Sequence, residues 1–249
     1  MLKKERQAYI LHQVNIHNKV LSATLCNEIA VSEDTIRRDL QELSEDGKLI
    51  KVHGGALSHS FRKIAYPSSK VYSSDAKRII AQKAAMLVTD GMFVLTGGGT
   101  TIIELARVLP QELRATFITG SIPAIAEYMH HPNLDVIVIG DKLSKTANIT
   151  VGAEAMNTIR NIKPDLCFLG LNAIDAAHGI TDNDWDVVHL KQQMIASARR
   201  TICLTISEKL NTVQPIHVSE LEKIDTLITE LDPSDVLLAP YVAAGIKVL

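Results

Sequence analysis

"VSEDTIRRDLQEL", Val31 to Leu43, decides how the rest of the chain is read. Ser32 stands before two acids, Glu33 and Asp34, and suits the N-cap of a helix whose positive end those acids favour. Ile36, Leu40 and Leu43 recur at i, i+4 and i+7, which makes one apolar face. With that face buried, Glu33, Thr35, Arg37, Arg38, Gln41 and Glu42 point outward. Such a surface can read DNA, because Arg pairs with guanine or grips phosphate and Gln pairs with adenine. It can equally be a solvated face laced with ion pairs, since Asp34–Arg38 and Arg38–Glu42 are spaced i, i+4. The helix taken alone leaves both readings open.

Its surroundings favour the first. Ile10, Val14 and Ile16 predict a helix over about Lys4 to His17. A second, shorter helix is predicted from Ser22, as its N-cap, to Ile29, with Leu25 and Ile29 four apart. Two helices joined by a short turn describe a helix-turn-helix, whose second helix enters the major groove by its N-terminal half. Gly47 ends the helix. "KLIKVHGGA", Lys48 to Ala56, then reads as a small hairpin carrying Lys48, Lys51 and His53. A hairpin in that place makes a winged helix, with the wing along phosphates. In this picture Asp39 and Glu42 orient the two arginines.

"VSEDTIRRDLQELSEDGKLIKVHGGA", Val31 to Ala56, closely resembles the N-terminal signature of DeoR-type transcriptional regulators, V-S-x-x-T-I-R-R-D-L-x-x-L-x-x-x-G-x-L-x-R-V-H-G-G-A. Lys51 stands where the family often has Arg. The resemblance implies a DNA-binding domain with the helix-turn-helix over about Val20 to Asp39 and a recognition helix holding Thr35, Arg37 and Arg38. The expected DNA-facing set is Ser32, Thr35, Arg37, Arg38, Gln41, Lys51 and His53. The expected partners are a double-stranded operator and a second copy of the chain, as a homodimer or higher.

The chain has 249 residues, 46% hydrophobic and 22% charged, with a formal net charge of -2. That composition supports a real core and one or two domains, and its charge does not announce nucleic acid. Cys26, Cys167 and Cys203 are far apart and form no C-x-x-C, which argues against a disulfide framework or a zinc ribbon. The N-terminus is too polar for a signal peptide, and no run approaches the roughly 18 apolar residues of a membrane span. The expected setting is the cytoplasm, with no membrane partner. The domain layout reads as residues 1–57 for the winged helix, a Ser-rich linker over 58–74, and 75–249 for a second domain.

The second domain alternates strands and helices, which predicts a mostly parallel α/β sheet. Strands are expected at about Met92–Thr96, Thr116–Thr119, Asp135–Ile139, Leu166–Leu169, Thr201–Ile206 and Thr226–Thr229. A last helix is expected over Pro233–Ala244. The DeoR resemblance continues loosely through this region. It implies a sensor of ribose-5-phosphate isomerase-like architecture that binds a phosphorylated sugar or related metabolite.

"TGGGTT", Thr96 to Thr101, joins a strand to a helix, where Gly98, Gly99, Thr100 and Thr101 suit either an anion site or a plain tight turn. The family form D-x-G-T-T has an Asp where this chain has Gly97. "TGS", Thr119, Gly120 and Ser121, departs from T-N-S, and "IGDK" puts Gly140 and Asp141 where Gly-Gly is common. These three loops are expected at one edge of the sheet, where open α/β sheets bind ligands. By resemblance Asp175, Thr181, Asp186 and Lys191, within Gly170 to Ile195, and Lys209 of "SEK" are candidates for sugar hydroxyls and phosphate. Lys191 can also be an ordinary surface lysine.

"DNDWD", Asp182 to Asp186, starts like a calcium loop but has Val187 where Gly is needed and Gln193 where Glu is needed. The scattered histidines, His53, His59, His130, His131, His178, His189 and His217, show no ligand spacing. No metal, cofactor or catalytic residue is expected. The alternative is a sugar-phosphate isomerase or deaminase with a DNA-binding head. That chemistry needs a dense acidic motif, and "LNAID", Leu171 to Asp175, keeps one acid. A third reading uses the helix-turn-helix as a protein interface. The favoured reading is a sequence-specific repressor of a carbohydrate operon, released by its effector.

Overall fold

The computed structural model describes residues 1–58 and 72–249. The chain divides into two compact units, Met1–Tyr72 and Ser73–Leu249. Most of the expected linker, with His59, falls on residues 59–71, outside the described residues.

The first unit runs α1 (Lys3–His17), β1 (Lys19–Leu21), α2 (Ser22–Ile29), α3 (Glu33–Glu45), β2 (Ile50–Val52) and β3 (Gly55–Leu57). Ser32 caps α3, its Oγ accepting the Thr35 N–H at 3.3 Å. Ile36, Leu40 and Leu43 turn inward and meet Ile10 and Val14 of α1, Leu25 of α2, Leu49, and Ala56 of β3 in one core. Each such buried side chain contributes about 1.5–3 kcal/mol in transfer free energy.

Ser22 does not make the expected cap. Leu21 holds that position without a side-chain bond, and Ser22 opens α2 with its N–H on the Gly54 carbonyl at 2.8 Å. The cause is β1, a strand too short to show alternation in the sequence. It adds to the hairpin to give an antiparallel sheet in the order β1-β3-β2.

The two glycines of "HGGA" serve different ends. Gly54 turns the hairpin at φ +74, and a Cβ on Gly55 would sit 2.0 Å from the Val20 carbonyl oxygen. Gly55→Ala is therefore expected to cost about 1–3 kcal/mol, as overpacking does. Hydrogen exchange across β1 and β3 measures this, and unchanged protection would contradict the close approach.

The second unit holds α4 (Ser74–Ala85), β4 (Phe93–Thr96), α5 (Thr100–Val108), β5 (Thr116–Thr119), α6 (Ile122–Tyr128) and β6 (Asp135–Val138). A hairpin, β7 (Lys142–Ser144) and β8 (Ile149–Val151), leads to α7 (Ala153–Arg160) and β9 (Leu166–Gly170). Then come β10 (Ala173–Asp175), β11 (Gly179–Asp182), α8 (Trp185–Ser197) and β12 (Thr201–Leu204). The chain finishes with β13 (Ile216–Ser219), β14 (Thr226–Ile228), α9 (Ala239–Ala243) and β15 (Lys247–Val248).

Seven strands pair in parallel in the order β15-β14-β12-β9-β4-β5-β6. β5 and β6 lie on one side of β4, and the later strands lie on the other. Chain order therefore reverses between β4 and β9, and the crevice at their carboxyl ends is where such sheets hold ligands. The strand interiors Leu95, Ile118, Cys167, Leu169, Cys203 and Leu227 form the core.

Two antiparallel pieces, β7-β8 and β10-β11-β13, were not expected, because three- and four-residue strands leave little period to read. The expected helix Pro233–Ala244 is also corrected. Val236–Leu238 is a 3-10 turn, and α9 starts afresh at Ala239 with Pro240 in its first turn. Proline lacks an N–H and is tolerated at a helix start, not in its interior.

Candidate functional site

On α3 the side chains of Arg37 and Arg38 are 69% and 76% exposed. Both reach Asp34, at 2.5 Å and 2.7 Å, so one carboxylate spans the pair. The Arg37 hydrogen bond and then the Arg38 charge hold the Asp34 carboxyl below its usual range. Thr35 lies beside Ser32, hydroxyl to hydroxyl at 2.9 Å. Gln41 accepts from Lys51 Nζ at 2.9 Å and donates to Glu45 at 2.6 Å, which ties β2 of the wing to α3. His53 is exposed in the turn between β2 and β3. All seven expected DNA-facing residues thus belong to α3, its cap or the wing.

The roles expected of Asp39 and Glu42 are corrected. Asp39 is 2% exposed and faces α1, where it accepts from Arg6 Nε, from Arg6 Nη2 at 3.3 Å and from Gln7 at 3.3 Å. Glu42 accepts from Lys3 and Gln7, each at 2.8 Å. These acids fasten α3 to α1 and leave the arginines to Asp34. The i, i+4 spacing made Arg38–Glu42 available, but α1 brings competing donors from 35 and more residues away.

In the second unit, buried cations gather at the carboxyl end of β9. Lys191 Nζ of α8 donates to the Gly170 carbonyl at 2.9 Å and to Asp182 Oδ2 at 2.8 Å. Asp182 also accepts from the Asn172 amide at 3.2 Å and from the Asn183 N–H at 2.7 Å. Burial raises the Asp182 carboxyl, but the Lys191 charge and these hydrogen bonds outweigh it and leave it below the usual range. Lys209 Nζ, in the 3-10 turn Ser207–Lys209, donates to the Leu171 carbonyl at 2.7 Å. Burial, and then the charges of Lys77 and Lys191, bring Lys209 down to about 7.

The glycine loop borders this cluster. A Cβ on Gly170 would stand 2.9 Å from the Gly98 carbonyl oxygen, so β9 and the loop touch backbone to backbone. Gly99 holds the N-cap of α5 at φ +109, and no side chain caps the helix. The free N–H groups of such an end, with the helix dipole, favour an anion.

Two known protein families match most of the chain. Residues 6–61 match the DeoR-like helix-turn-helix domain, and residues 73–231 match the DeoR C terminal sensor domain. The chain belongs to the DeoR family. It is similar to the HTH-type transcriptional regulator GolR of Listeria innocua, 30% identical over 250 residues covering 100% of this chain and 98% of GolR. The HTH-type transcriptional repressor GlcR of Bacillus subtilis is 29% identical, over 100% of this chain and 96% of GlcR. The glycerol-3-phosphate regulon repressor of Haemophilus influenzae is 28% identical, over 92% and 90%. Among solved structures, ribose 5-phosphate isomerase A of Methanocaldococcus jannaschii shares 20% identity over 55% of each chain at a TM-score of 0.40, too remote a likeness to bear on function.

This DeoR-family protein is a helix-turn-helix transcriptional regulator, as its relatives are. Its departures from the family pattern have local causes. A Cβ on Gly120 would lie 2.1 Å from Thr150 Oγ1, a hydroxyl held by the Ile139 carbonyl at 2.6 Å. The asparagine of T-N-S has no room here. Gly97 faces Leu169 and Met194, so an aspartate there would meet apolar side chains.

The structure separates the other expected effector residues. Thr119 and Ser121 are buried at the end of β5, where Thr119 Oγ1 bonds the Thr96 carbonyl at 2.9 Å. Thr100 and Thr101 open α5. Gly140 is exposed, and Asp141 caps α7 by accepting from the N–H groups of Glu154 and Ala155 at 2.9 and 3.1 Å. Those backbone bonds, with that of Lys142, hold the Asp141 carboxyl low. Asp175, the one acid of "LNAID", is taken up by the turn after β10, bonding Ala177, His178 and the His178 ring. Thr181 is buried and accepts from the Gln214 N–H at 2.7 Å. Asp186 is exposed on the first turn of α8. Lys191 is not a surface lysine, and its acid is Asp182.

Sequence reasoning passed over Asp182, Asn172 and Lys77. Lys77 carried a signal. With Ile80, Ala81 and Ala84 it forms an i, i+3, i+4, i+7 stripe, which places an ammonium at a core position of α4. Among the described residues no group of three or more His, Cys, Asp or Glu could hold a metal ion, and no helix is long and apolar enough to cross a membrane.

Proposed function

We propose that this regulator represses a carbohydrate-metabolism operon and releases it when a phosphorylated sugar or related metabolite binds the second unit. The observation that carries the reading is the pair of buried lysines, Lys191 and Lys209, that donate to the Gly170 and Leu171 carbonyls at the carboxyl end of β9. Buried ammonium groups are costly unless countercharge arrives. Asp182 supplies it to Lys191, and a phosphate dianion would add it beside Lys209. The names of similar proteins, among them a glycerol-3-phosphate regulon repressor, support the same ligand class.

Arg37, Arg38, Lys51 and His53 grip the operator, and Thr35 and Gln41 read it. Two heads on a repeated site require at least a dimer. The effector must bind one state of the sensor more tightly than the other to shift the population.

The test is a thermal-shift titration of the full-length protein with sugar phosphates across pH. Lys209 sits near 7 and Lys77 near 8 in the folded chain, both below the ordinary lysine value of 10.5. The unfolded chain therefore binds more protons between those values and 10.5, and ligand-free stability rises with pH through that window. Phosphate affinity runs the other way. It needs the charged lysines and the ester dianion, whose second pKa is about 6. Affinity should peak near pH 6–7 and fall at least tenfold by pH 9. A flat profile across pH 6–9, or no binder in the panel, removes the lysine site.

A further inference from the structure

The seven-stranded sheet ends on β15 at one side and on β6 at the other. An edge strand presents unpaired N–H and C=O groups, and proteins blunt such edges by shortness, by lysine or by proline. β15 is blunted in this way: it has two residues, and Lys247 is exposed. β6 is not. It runs from Asp135 to Val138 in unbroken register with β5 and holds neither Lys nor Pro. Ile137 and Val138 are 44% and 52% exposed, although successive side chains point to opposite faces of a sheet.

The open backbone groups can be named. Asp135 and Ile139 donate their N–H groups to the Ala115 and Thr119 carbonyls at 3.0 and 2.9 Å. Backbone groups alternate along a strand, so those of Val136 and Val138 turn away from β5. Among the described residues no strand but β5 pairs with β6. The charges around the strand have a direction. Asp135 is an exposed acid at its start, and Lys142, also exposed, opens β7 just past its end. Asp141 beside Lys142 is held by the N–H groups of Glu154 and Ala155. Between the two ends lies the palindrome Val136-Ile137-Val138. A second copy of the chain, run antiparallel, reverses the charge direction and repeats the palindrome, so the edge is complementary to itself.

We propose that β6 is the interface between two copies of this chain, paired antiparallel across a two-fold axis at Ile137. Val136 exchanges backbone hydrogen bonds with the partner's Val138, and the sheet of one protomer continues into that of its partner. Ile137 faces the partner's Ile137 in a pair that exchanges no hydrogen bonds, with Cα atoms about 4.5 Å apart. The neighbouring registers are poorer, because like charges that approach across strands repel. An axis at Val136 brings the two Asp135 residues from about 13 Å to about 7 Å apart along the strands, at about 3.4 Å per residue. An axis at Val138 sets Asp135 toward the partner's Asp141. Isologous pairing of this kind closes at two copies. It places the second copy that the operator reading above requires, and in that respect rests on that reading.

The experiment uses the full-length protein. Assembly is read by sedimentation across protein concentration, and output by affinity for a DNA fragment that the wild-type protein selects from a random pool. Wild type should sediment as a dimer or a multiple of it. Ile137→Cys should give a disulfide-linked dimer on mild oxidation, since that Cα spacing is within disulfide reach. Wild type, with its own Cys26, Cys167 and Cys203, should not, nor should Val242→Cys, a control exposed on α9. Ile137→Lys and Ile137→Glu should each raise the dimer dissociation constant at least tenfold, because like charges then meet across the axis. Each should also hold the selected fragment at least tenfold more weakly. Mixed one to one, the two variants should recover both the dimer and the DNA affinity, which also shows that both fold.

A wild-type dimer that Ile137→Cys does not cross-link, or that persists in Ile137→Lys, overturns the β6 interface and leaves the two-head reading standing. A wild type that stays monomeric at every concentration overturns both. Loss of the dimer in Ile137→Lys and in Ile137→Glu with full DNA affinity upholds the interface and strikes the two-head reading.

Discussion

Asp39→Ala is expected to destabilise the first unit by about 3–5 kcal/mol, the usual cost of removing one partner from a buried ion pair. Asp39 is 2% exposed, and its partner Arg6 has a side chain only 13% exposed. Loss of the carboxylate leaves the Arg6 guanidinium without its hydrogen-bonded partner and removes one of the two acceptors of Gln7. α1 then loses a principal polar tie to α3. Arg6→Ala should cost a similar amount, and the double variant less than the sum, because the penalty lies in the orphaned charge. Because the chain has two units, a single melting point cannot report this change. Hydrogen exchange resolved to α1 and α3 can, and protection there should fall by roughly 10²- to 10³-fold. If Asp39→Ala keeps wild-type protection in α1, the pair is not what fastens the recognition helix.

The double variant Arg37→Ala/Arg38→Ala should do the opposite: leave the fold standing and abolish operator binding. Both arginines are exposed, and their ion pairs with Asp34 are surface pairs worth about 0–1 kcal/mol. On DNA each is worth more, about 1–3 kcal/mol where it meets a base bidentately. The double variant should therefore lose roughly 10²- to 10⁴-fold in affinity for the selected fragment, with unchanged hydrogen exchange in α3. Single variants separate the roles. An arginine on phosphate weakens all sequences alike and lowers the salt slope by about one, whereas an arginine on a base relaxes specificity at one position. Wild-type footprints from the double variant would move the DNA-reading surface elsewhere.

Much of the first unit is local in origin and so could be read from sequence. The Ser32 cap, the Ile36–Leu40–Leu43 face and the Gly54 turn each depend on residues within a few positions. What could not be read there was competition. Asp39 and Glu42 had local partners by spacing, and Asp39's burial against Arg6 is a contact across 33 residues. In the second unit, the glycine loops at strand ends were legible because βα turns need them. Short antiparallel strands such as β7 and β8 were not, because their pairing depends on what lies beside them.

The candidate effector residues divide along the same line. Asp141 and Asp175 have the right chemistry for sugar hydroxyls, yet backbone N–H groups of α7 and of a turn claim their carboxylates. Lys191 and Lys209 come together only because β9 ends between them, offering the carbonyls of Gly170 and Leu171.

The sequence alone determined the family, through its V-S-x-x-T-I-R-R-D-L resemblance, and the apolar face of α3 and the alternation that makes a parallel sheet, through local propensity and apolar period. Only the tertiary structure decided which acids face which cations, that Lys191 and Lys209 meet at the end of β9, and that Gly120 makes way for Thr150. Electrostatic pairing depends on distance through space and on burial, and neither is set until the sheet brings distant segments together.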